Sequence, residues 1–208
     1  MDSMRGLNKD LLQFIECVAP DGNLAVCEVA LSMMDDPLYV GLGRCSMASE
    51  MIELGKREEA RRLLATDISE LDAANVSLAE QGRFFVAAIS PYTRLDGKSV
   101  PKDMCKTLEK LFPPELAAEA YRLFAFSCFP EEKSDAEESL ERSEQILMKV
   151  SDPLERAFLF RRVYQTRSSL FGEESGLNAA EKVSDRIEKC FAFLGVAEGL
   201  NLPKVREK

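Results

Sequence analysis

The sequence predicts an all-α protein, built as an α-α superhelix in which helical hairpins stack in the manner of a solenoid. Three observations predict this fold class. Apolar residues recur three or four positions apart along most of the chain, as Ala136, Leu140 and Leu147 illustrate. Helix starts carry an acidic residue followed by proline. Similar starts return about every 39 residues, which is typical of arrays of helix pairs.

The helices follow one another in a regular order. Two N-terminal helices are predicted near residues 8–18 and 23–34. Four hairpins follow, because Leu38, Leu78, Leu116 and Leu154 each open an apolar helix at separations of 40, 38 and 38 residues. The first helices of these hairpins are predicted near 37–54, 76–94, 114–129 and 153–171, and the second helices near 57–73, 101–112, 134–150 and 175–193.

Capping chemistry fixes the ends of several of these helices. Asp36 and Asp152 each precede a proline, whose fixed φ and missing N–H suit the first helical turn. Ser134 and Glu137 have the spacing of a capping box. The turns inside three hairpins contain glycine, at Gly55, Gly97 and Gly172, which accommodates the positive φ of a helix C-cap. Pro130 and its acidic neighbours take that place in the third hairpin.

We predict that the whole chain, residues 1–208, forms one helical-repeat domain, since a repeat of this kind buries its apolar face only against its neighbours. An N-terminal helix pair occupies residues 1–36. The repeat units cover 37–74, 75–112, 113–150 and 151–193. Residues 194–208 form a C-terminal cap and tail.

The first hairpin resembles the tetratricopeptide family of helical repeats. The resemblance rests on Ala48, Gly55, Leu64 and the run Glu58-Glu59-Ala60, which occupy that motif's small, turn, large-apolar and Glu-Glu-Ala positions. It covers about 20 residues well, mainly within 44–64. The resemblance implies antiparallel helix pairs that form a superhelix with a peptide-binding groove. The period departs from the family's value of about 34 residues, and Arg44 stands where the family has a large apolar residue.

Composition restricts the partners and the compartment. The 208 residues carry a net charge of −9, which disfavours nucleic acids and anionic membranes as partners. We find no signal sequence and no apolar stretch of membrane-spanning length. The six cysteines are scattered singly through helical patterns, which indicates reduced core thiols. The protein is therefore expected to be cytoplasmic.

Catalytic chemistry is restricted as well. The sequence contains no histidine, which excludes Ser-His-Asp and Cys-His mechanisms and histidine-assisted zinc catalysis. No two cysteines are spaced as C-x-x-C, and no phosphate-binding glycine loop is present. We expect no catalytic residues, no metal and no cofactor, and interpret the protein as one that is not an enzyme.

Arginines recur at the same position of the repeat. Reading at a step of 39 aligns Arg44, Arg83, Arg122 and Arg161. If the repeats stack, these side chains form a row that could hold an acidic or carboxylate-bearing peptide through bidentate contacts. The alternative is structural, with each stem packed between repeats and each guanidinium group paired with a neighbouring carboxylate.

Aromatic residues concentrate late in the chain. Phe124, Phe160 and Tyr164 are examples, and we interpret them mainly as core, with an apolar slot for a partner helix or strand as the alternative.

The leading hypothesis is a protein–protein interaction module, an adaptor or chaperone-like protein that binds a partner peptide in a groove. One alternative is an enzyme that uses carboxylate or Arg/Lys groups in an α-α cleft, which requires buried acids with raised pKa values converging in one pocket. Another is a self-associating structural subunit, a homo-oligomer, which requires an exposed apolar face on a terminal helix.

Overall fold

The computed structural model describes residues 2–65, 76–97 and 99–202, and these residues form eleven α-helices. We number the helices in chain order: α1 (Asp2–Val18), α2 (Leu24–Ser32), α3 (Pro37–Glu53), α4 (Arg57–Leu64), α5 (Leu78–Asp96), α6 (Ser99–Leu111), α7 (Pro114–Cys128), α8 (Lys133–Leu147), α9 (Pro153–Phe171), α10 (Glu173–Ala180) and α11 (Arg186–Leu200). A short 3-10 helix, Ala19–Asp21, follows α1. The all-α class predicted from the sequence is confirmed.

The predicted first helices coincide with α3, α5, α7 and α9 to within two residues at each end. Local chemistry explains this agreement. The carboxylate of Asp36 accepts a hydrogen bond from the backbone N–H of Leu38 at 3.0 Å, and Asp152 accepts one from Leu154 at 2.8 Å. Gly55 and Gly172 have φ values of 78° and 86°, as the turns between paired helices require.

For the second helices of the hairpins, the structure differs from the sequence-based predictions at three points. The single helix predicted over 175–193 is wrong, because α10 ends at Ala180 and α11 begins at Arg186. The capping box at Ser134 is wrong too, because α8 already begins at Lys133 and Ser134 lies inside it. The helix predicted over 57–73 is present as α4, Arg57–Leu64; residues 66–75 lie outside the described residues.

Contacts between helices divide the chain into two compact units, Met1–Asp96 and Gly97–Lys208. In the first unit α3 is central and packs against α1, α2, α4 and α5. The largest fully buried side chains of this unit are Ile15, Met47, Leu64, Phe84 and Ile89. Arg57 of α4 also donates to the carbonyl oxygens of Arg94 and Leu95, which lie at the C-terminal end of α5. The repeat-unit boundaries proposed from the sequence stay predictions.

In the second unit α9 is central, with contacts to α7, α8, α10 and α11. Packing along the chain is mostly sequential. The contact between α9 and α11 is the most extensive, because Gly195 and Gly199 let the two backbones approach each other. Phe124, Leu108, Leu140, Leu147 and Tyr164 are fully or almost fully buried in this unit.

Four cysteines, Cys27, Cys45, Cys105 and Cys128, are buried free thiols, whereas Cys17 and Cys190 are exposed free thiols. Of the eleven helices in the described ranges, none is both long enough and apolar enough to span a membrane.

A candidate partner-binding groove between α8 and α10

A groove of about 480 Å³ lies within the second unit. Its two walls are α8 and α10, its floor is α9, and the start of α11 closes one end. The α8 wall is lined by Glu137, Glu141, Glu144, Gln145 and Met148. The α10 wall and the loop that follows it contribute Ser175, Asn178, Ala179, Lys182, Val183 and Ser184. The floor is formed by Phe160, Tyr164 and Arg167, and the closed end by Glu188. This volume lies in the range of pockets that bind small molecules or short peptide segments.

The floor consists of one face of α9. Phe160, Tyr164 and Arg167 follow one another at spacings of four and three residues, so their side chains leave the helix on the same side. All three are buried, with the two aromatic rings 6.0 Å apart between centroids. The hydroxyl group of Tyr164 donates to the carbonyl oxygen of Ala179 at 3.3 Å, which ties the floor to the α10 wall.

Arg167 is a buried charge with one donor group unused. Its Nε and Nη2 atoms donate to Oε1 of Glu144 at 3.1 and 2.9 Å, and its side chain is only 5% exposed. The remaining nitrogen, Nη1, has no hydrogen-bond partner among the residues described here. A guanidinium group prefers to use all of its donors, so Nη1 is available to a ligand in the groove.

The environment of the groove shifts two pKa values. Burial raises the pKa of Glu144, against the charge and hydrogen bond of Arg167, while the negative charge of Glu141 raises it further. Burial, followed by the charge of Glu144, also raises the pKa of Tyr164. The ion pair therefore lies in a poorly solvated part of the groove, where an interaction with a ligand is stronger than at the surface.

The rim of the groove carries charges of both signs on opposite walls. Glu137 and Glu141 lie one turn apart on α8, are exposed, and have no hydrogen bond or ion pair to a described residue. Lys182 lies on the α10 side. Glu188, by contrast, is 4% exposed and accepts a 2.5 Å hydrogen bond from Nε of Arg156, so its charge is compensated.

The four arginines predicted to bind a partner lie elsewhere. Arg122 on α7 donates to both carboxylate oxygens of Glu119 and to the hydroxyl group of Thr166. Arg161 on α9 donates to both carboxylate oxygens of Glu198 on α11.

In the first unit Arg44 is half-buried on α3 and Arg83 is exposed on α5. None of the four arginines lines the groove. A common row of all four, and its role in binding, stays a prediction.

The sequence analysis missed the residues that make the groove. Phe160 and Tyr164 belonged to the aromatic set interpreted mainly as core, and they are indeed buried, but they also form the floor. Arg167 falls outside the arginine column with its 39-residue spacing, and it is not among the predicted site residues. The available signal was its position on the aromatic face of α9, seven residues after Phe160, where a charged side chain needs a buried partner.

Comparison with known protein families, with curated protein sequences and with solved structures gives no match to this chain. The tetratricopeptide resemblance therefore identifies no family.

The groove brings together several groups that could contact a ligand. Within the described ranges, no three His, Cys, Asp or Glu side chains are grouped so that they could hold a metal ion. What the groove offers is an aromatic floor, one unused guanidinium donor and two uncompensated carboxylates on one wall. Such a combination orients a ligand that has polar and apolar groups side by side.

Proposed function

We propose that the protein is an interaction module, an adaptor or chaperone-like protein, that holds a segment of a partner protein in the groove between α8 and α10. The observation that carries this proposal is the buried Arg167, which lines an aromatic-floored groove and whose Nη1 lacks a hydrogen-bond partner among the described residues. A bound backbone carbonyl would satisfy this donor, and a bound apolar side chain would cover the exposed Met148 beside Phe160.

The finer architecture belongs to the same proposal. We propose a tetratricopeptide-like α-α superhelix of helix pairs, located in the cytoplasm. Sequential packing within each unit supports it, as does the shared start of the two central helices: α3 begins at Asp36-Pro37-Leu38 and α9 at Asp152-Pro153-Leu154. Solenoids of this kind present extended surfaces to other proteins.

A groove-filling substitution tests the proposal. Asn178 is exposed on the α10 wall, so Asn178→Trp fills the groove without disturbing the core. Ala25→Trp, at an exposed position of α2, is the control. Partners of each protein are captured from cells of the source organism and quantified. We expect the Asn178→Trp variant to lose at least one partner that the wild type and the Ala25→Trp variant retain. The Tm of the Asn178→Trp variant should equal that of the wild type. Identical sets of partners for all three proteins contradict the proposal.

Self-association is a second candidate, favoured by the outer face of α11. The exposed positions of this helix are Arg186, Ile187, Cys190, Phe193, Leu194, Ala197 and Leu200, of which one is charged. Its two glutamates are paired: Glu188 is buried against Arg156, and Glu198, 34% exposed, pairs with Arg161. An apolar face of this kind on a surface helix is typical of protein contacts.

Sedimentation across a range of concentrations tests this candidate. Leu194→Glu and the control Leu54→Glu change residues that are both 52% exposed. If the wild type forms a dimer through α11, Leu194→Glu is monomeric and Leu54→Glu is not. A concentration-independent monomeric mass for the wild type contradicts self-association.

Catalysis is a weaker alternative. It requires two or more acids with raised pKa values in one pocket. Glu144, one carboxylate of the groove, has a raised pKa and is held by Arg167. Glu188 is paired with Arg156. We therefore propose binding as the function of the groove.

A further inference from the structure

The charges in the groove restrict the chemistry of what it can bind. On the α8 wall, Glu137, Glu141 and Glu144 follow at spacings of four and three residues and so share one face of the helix. Glu144 is neutralised by Arg167. Glu137 and Glu141 have no ion pair to any described residue. Two like charges one turn apart destabilise a helix, and a cation placed between them removes that cost.

Apolar surface lies directly beside these carboxylates. Met148, which directly follows α8, is 59% exposed, and Val183 lines the same groove from the loop that follows α10. Met148 supplies most of this surface, because Val183 and Phe160 are only 9% and 3% exposed. Together the three offer a place for one large apolar side chain. Covering such surface supplies most of the affinity of a short segment.

The free donor of Arg167, Nη1, favours a neutral hydrogen-bond acceptor over a negatively charged one. A carboxylate could also accept from Nη1, but the groove already contains the carboxylates of Glu137 and Glu141, unpaired among the described residues, against the single charge of Lys182, in a protein of net charge −9. These like charges repel a bound carboxylate. A backbone carbonyl accepts the same hydrogen bond without this cost.

We infer that the groove takes a basic, amphipathic segment of a partner protein: a Lys or Arg side chain between Glu137 and Glu141, a neighbouring large apolar side chain against Met148 and Phe160, and a backbone carbonyl on Nη1 of Arg167. The inference rests on the proposed function of the groove. It differs from the acidic ligand that the arginine column alone suggests.

Selection from a random dodecapeptide library displayed on phage tests the inference. The full-length protein is immobilised, bound phage are sequenced, and the consensus peptide is synthesised for titration. We expect the selected peptides to be enriched in Lys or Arg adjacent to Leu, Ile, Met or Phe. We also expect the consensus peptide to lose affinity for the Asn178→Trp variant and as the salt concentration rises.

A pair of charge variants with equal net charge tests the position of the cation. Glu137→Lys/Glu141→Lys removes the two carboxylates of the wall, whereas Glu16→Lys/Glu28→Lys changes two exposed glutamates of the first unit. We expect at least a tenfold loss of affinity for the first double variant and less than a twofold loss for the second. Equal losses mean that net charge alone attracts the peptide, which overturns the inference.

The remaining outcomes separate this inference from the proposed function. If the selected peptides are acidic or uncharged and Asn178→Trp blocks their binding, the inference of a basic segment is wrong, but the groove is still a binding site. Peptides that bind equally well to Asn178→Trp, or a library without any binder, overturn both.

Discussion

Gly195 and Gly199 determine how closely α11 approaches α9. A Cβ atom at Gly195 would lie 2.1 Å from the carbonyl oxygen of Arg161, and one at Gly199 would lie 2.2 Å from that of Gln165. Real Cβ atoms do not come so near to backbone oxygen, so any larger residue forces the two helices apart. The glycines cost helix propensity, and the close packing of two backbones offsets that cost.

The first prediction follows from this contact. Gly195→Ala is expected to lower the free energy of unfolding by at least about 2 kcal/mol, because the added methyl group overpacks a helix–helix contact that backbone atoms form. Gly6→Ala is the control, since a Cβ atom at Gly6 on α1 meets nothing within 4 Å. The control is expected to gain about 0.5–1 kcal/mol from helix propensity. Urea unfolding measures both; a stable Gly195→Ala protein contradicts the packing of α11 on α9.

Glu109 yields a second prediction at this scale, about pH. Burial opposes ionisation of Glu109, but hydrogen bonds from Arg142 and Tyr121 and the charges of Arg142 and Lys149 outweigh it and lower its pKa. A carboxyl group whose pKa is lower in the folded state stabilises the protein above its unfolded pKa. That contribution is lost as pH falls through the folded pKa.

Glu109→Gln is therefore expected to reduce the free energy of unfolding by about 1 kcal/mol at pH 7, since the partners Arg142 and Lys149 remain partly solvated. The difference from the wild type should shrink as pH falls from 5 to 3. Denaturant unfolding at several pH values measures it. A difference that grows towards low pH contradicts the lowered pKa.

At the scale of elements, the N-terminus of α11 is set by its capping residue, Asp185. Asp185 accepts hydrogen bonds from the backbone N–H groups of Ile187 and Glu188 at 2.9 and 3.0 Å. This is the same device that begins α3 and α9, but no proline follows it.

We predict that Asp185→Ala lowers the free energy of unfolding by about 1 kcal/mol, because two N–H groups lose their acceptor. Asp103→Ala is the control, because Asp103 is an exposed residue inside α6 whose carboxylate pairs only with Lys106 among the described residues. Its backbone carbonyl oxygen accepts a hydrogen bond from the hydroxyl group of Thr107, which the substitution keeps. Its change should stay within about 0.5 kcal/mol. Equal effects of the two substitutions would mean that Asp185 does not cap α11.

The elements also show what a sequence can predict. The starts of α3 and α9 could be predicted because Asp36-Pro37 and Asp152-Pro153 decide them locally. The break between α10 and α11 could not, because the apolar pattern continues through Val183 and no glycine or proline interrupts it. A capping box does form, between Ser77 and Glu80 at the start of α5, where it was not expected.

The candidate site was much less predictable than the helices. The groove combines residues from four helices, and its key ion pair joins Glu144 to Arg167 across 23 positions. Periodicity predicts which face of α9 is apolar, but not that α8 and α10 leave part of that face uncovered. The space between helices depends on how their side chains pack, which the sequence pattern does not specify.

At the scale of the whole molecule, the reactivity of the cysteine thiols reports how well each of the two units is packed. Burial raises the pKa of Cys105 and Cys128 to about 12, and it also raises that of Cys27, whereas Cys17 and Cys190 are exposed. We predict that a thiol reagent at pH 8 modifies two cysteines of the native protein quickly and all six only after unfolding. Mass spectrometry of digested protein identifies the modified sites. Rapid modification of Cys105 or Cys128 in the native state contradicts the packing of the second unit.

The central claim, that a partner segment occupies the groove between α8 and α10, is tested most directly by photocrosslinking in cells of the source organism. A photoreactive phenylalanine derivative is placed at position 184, an exposed position at the edge of the groove, in one set of cells and at position 25 in another. The crosslinked products are identified by mass spectrometry. We expect a defined partner crosslinked through position 184, at a peptide that contains Lys or Arg beside an apolar residue, and none through position 25. Crosslinks through position 25 without any through position 184 would contradict the claim.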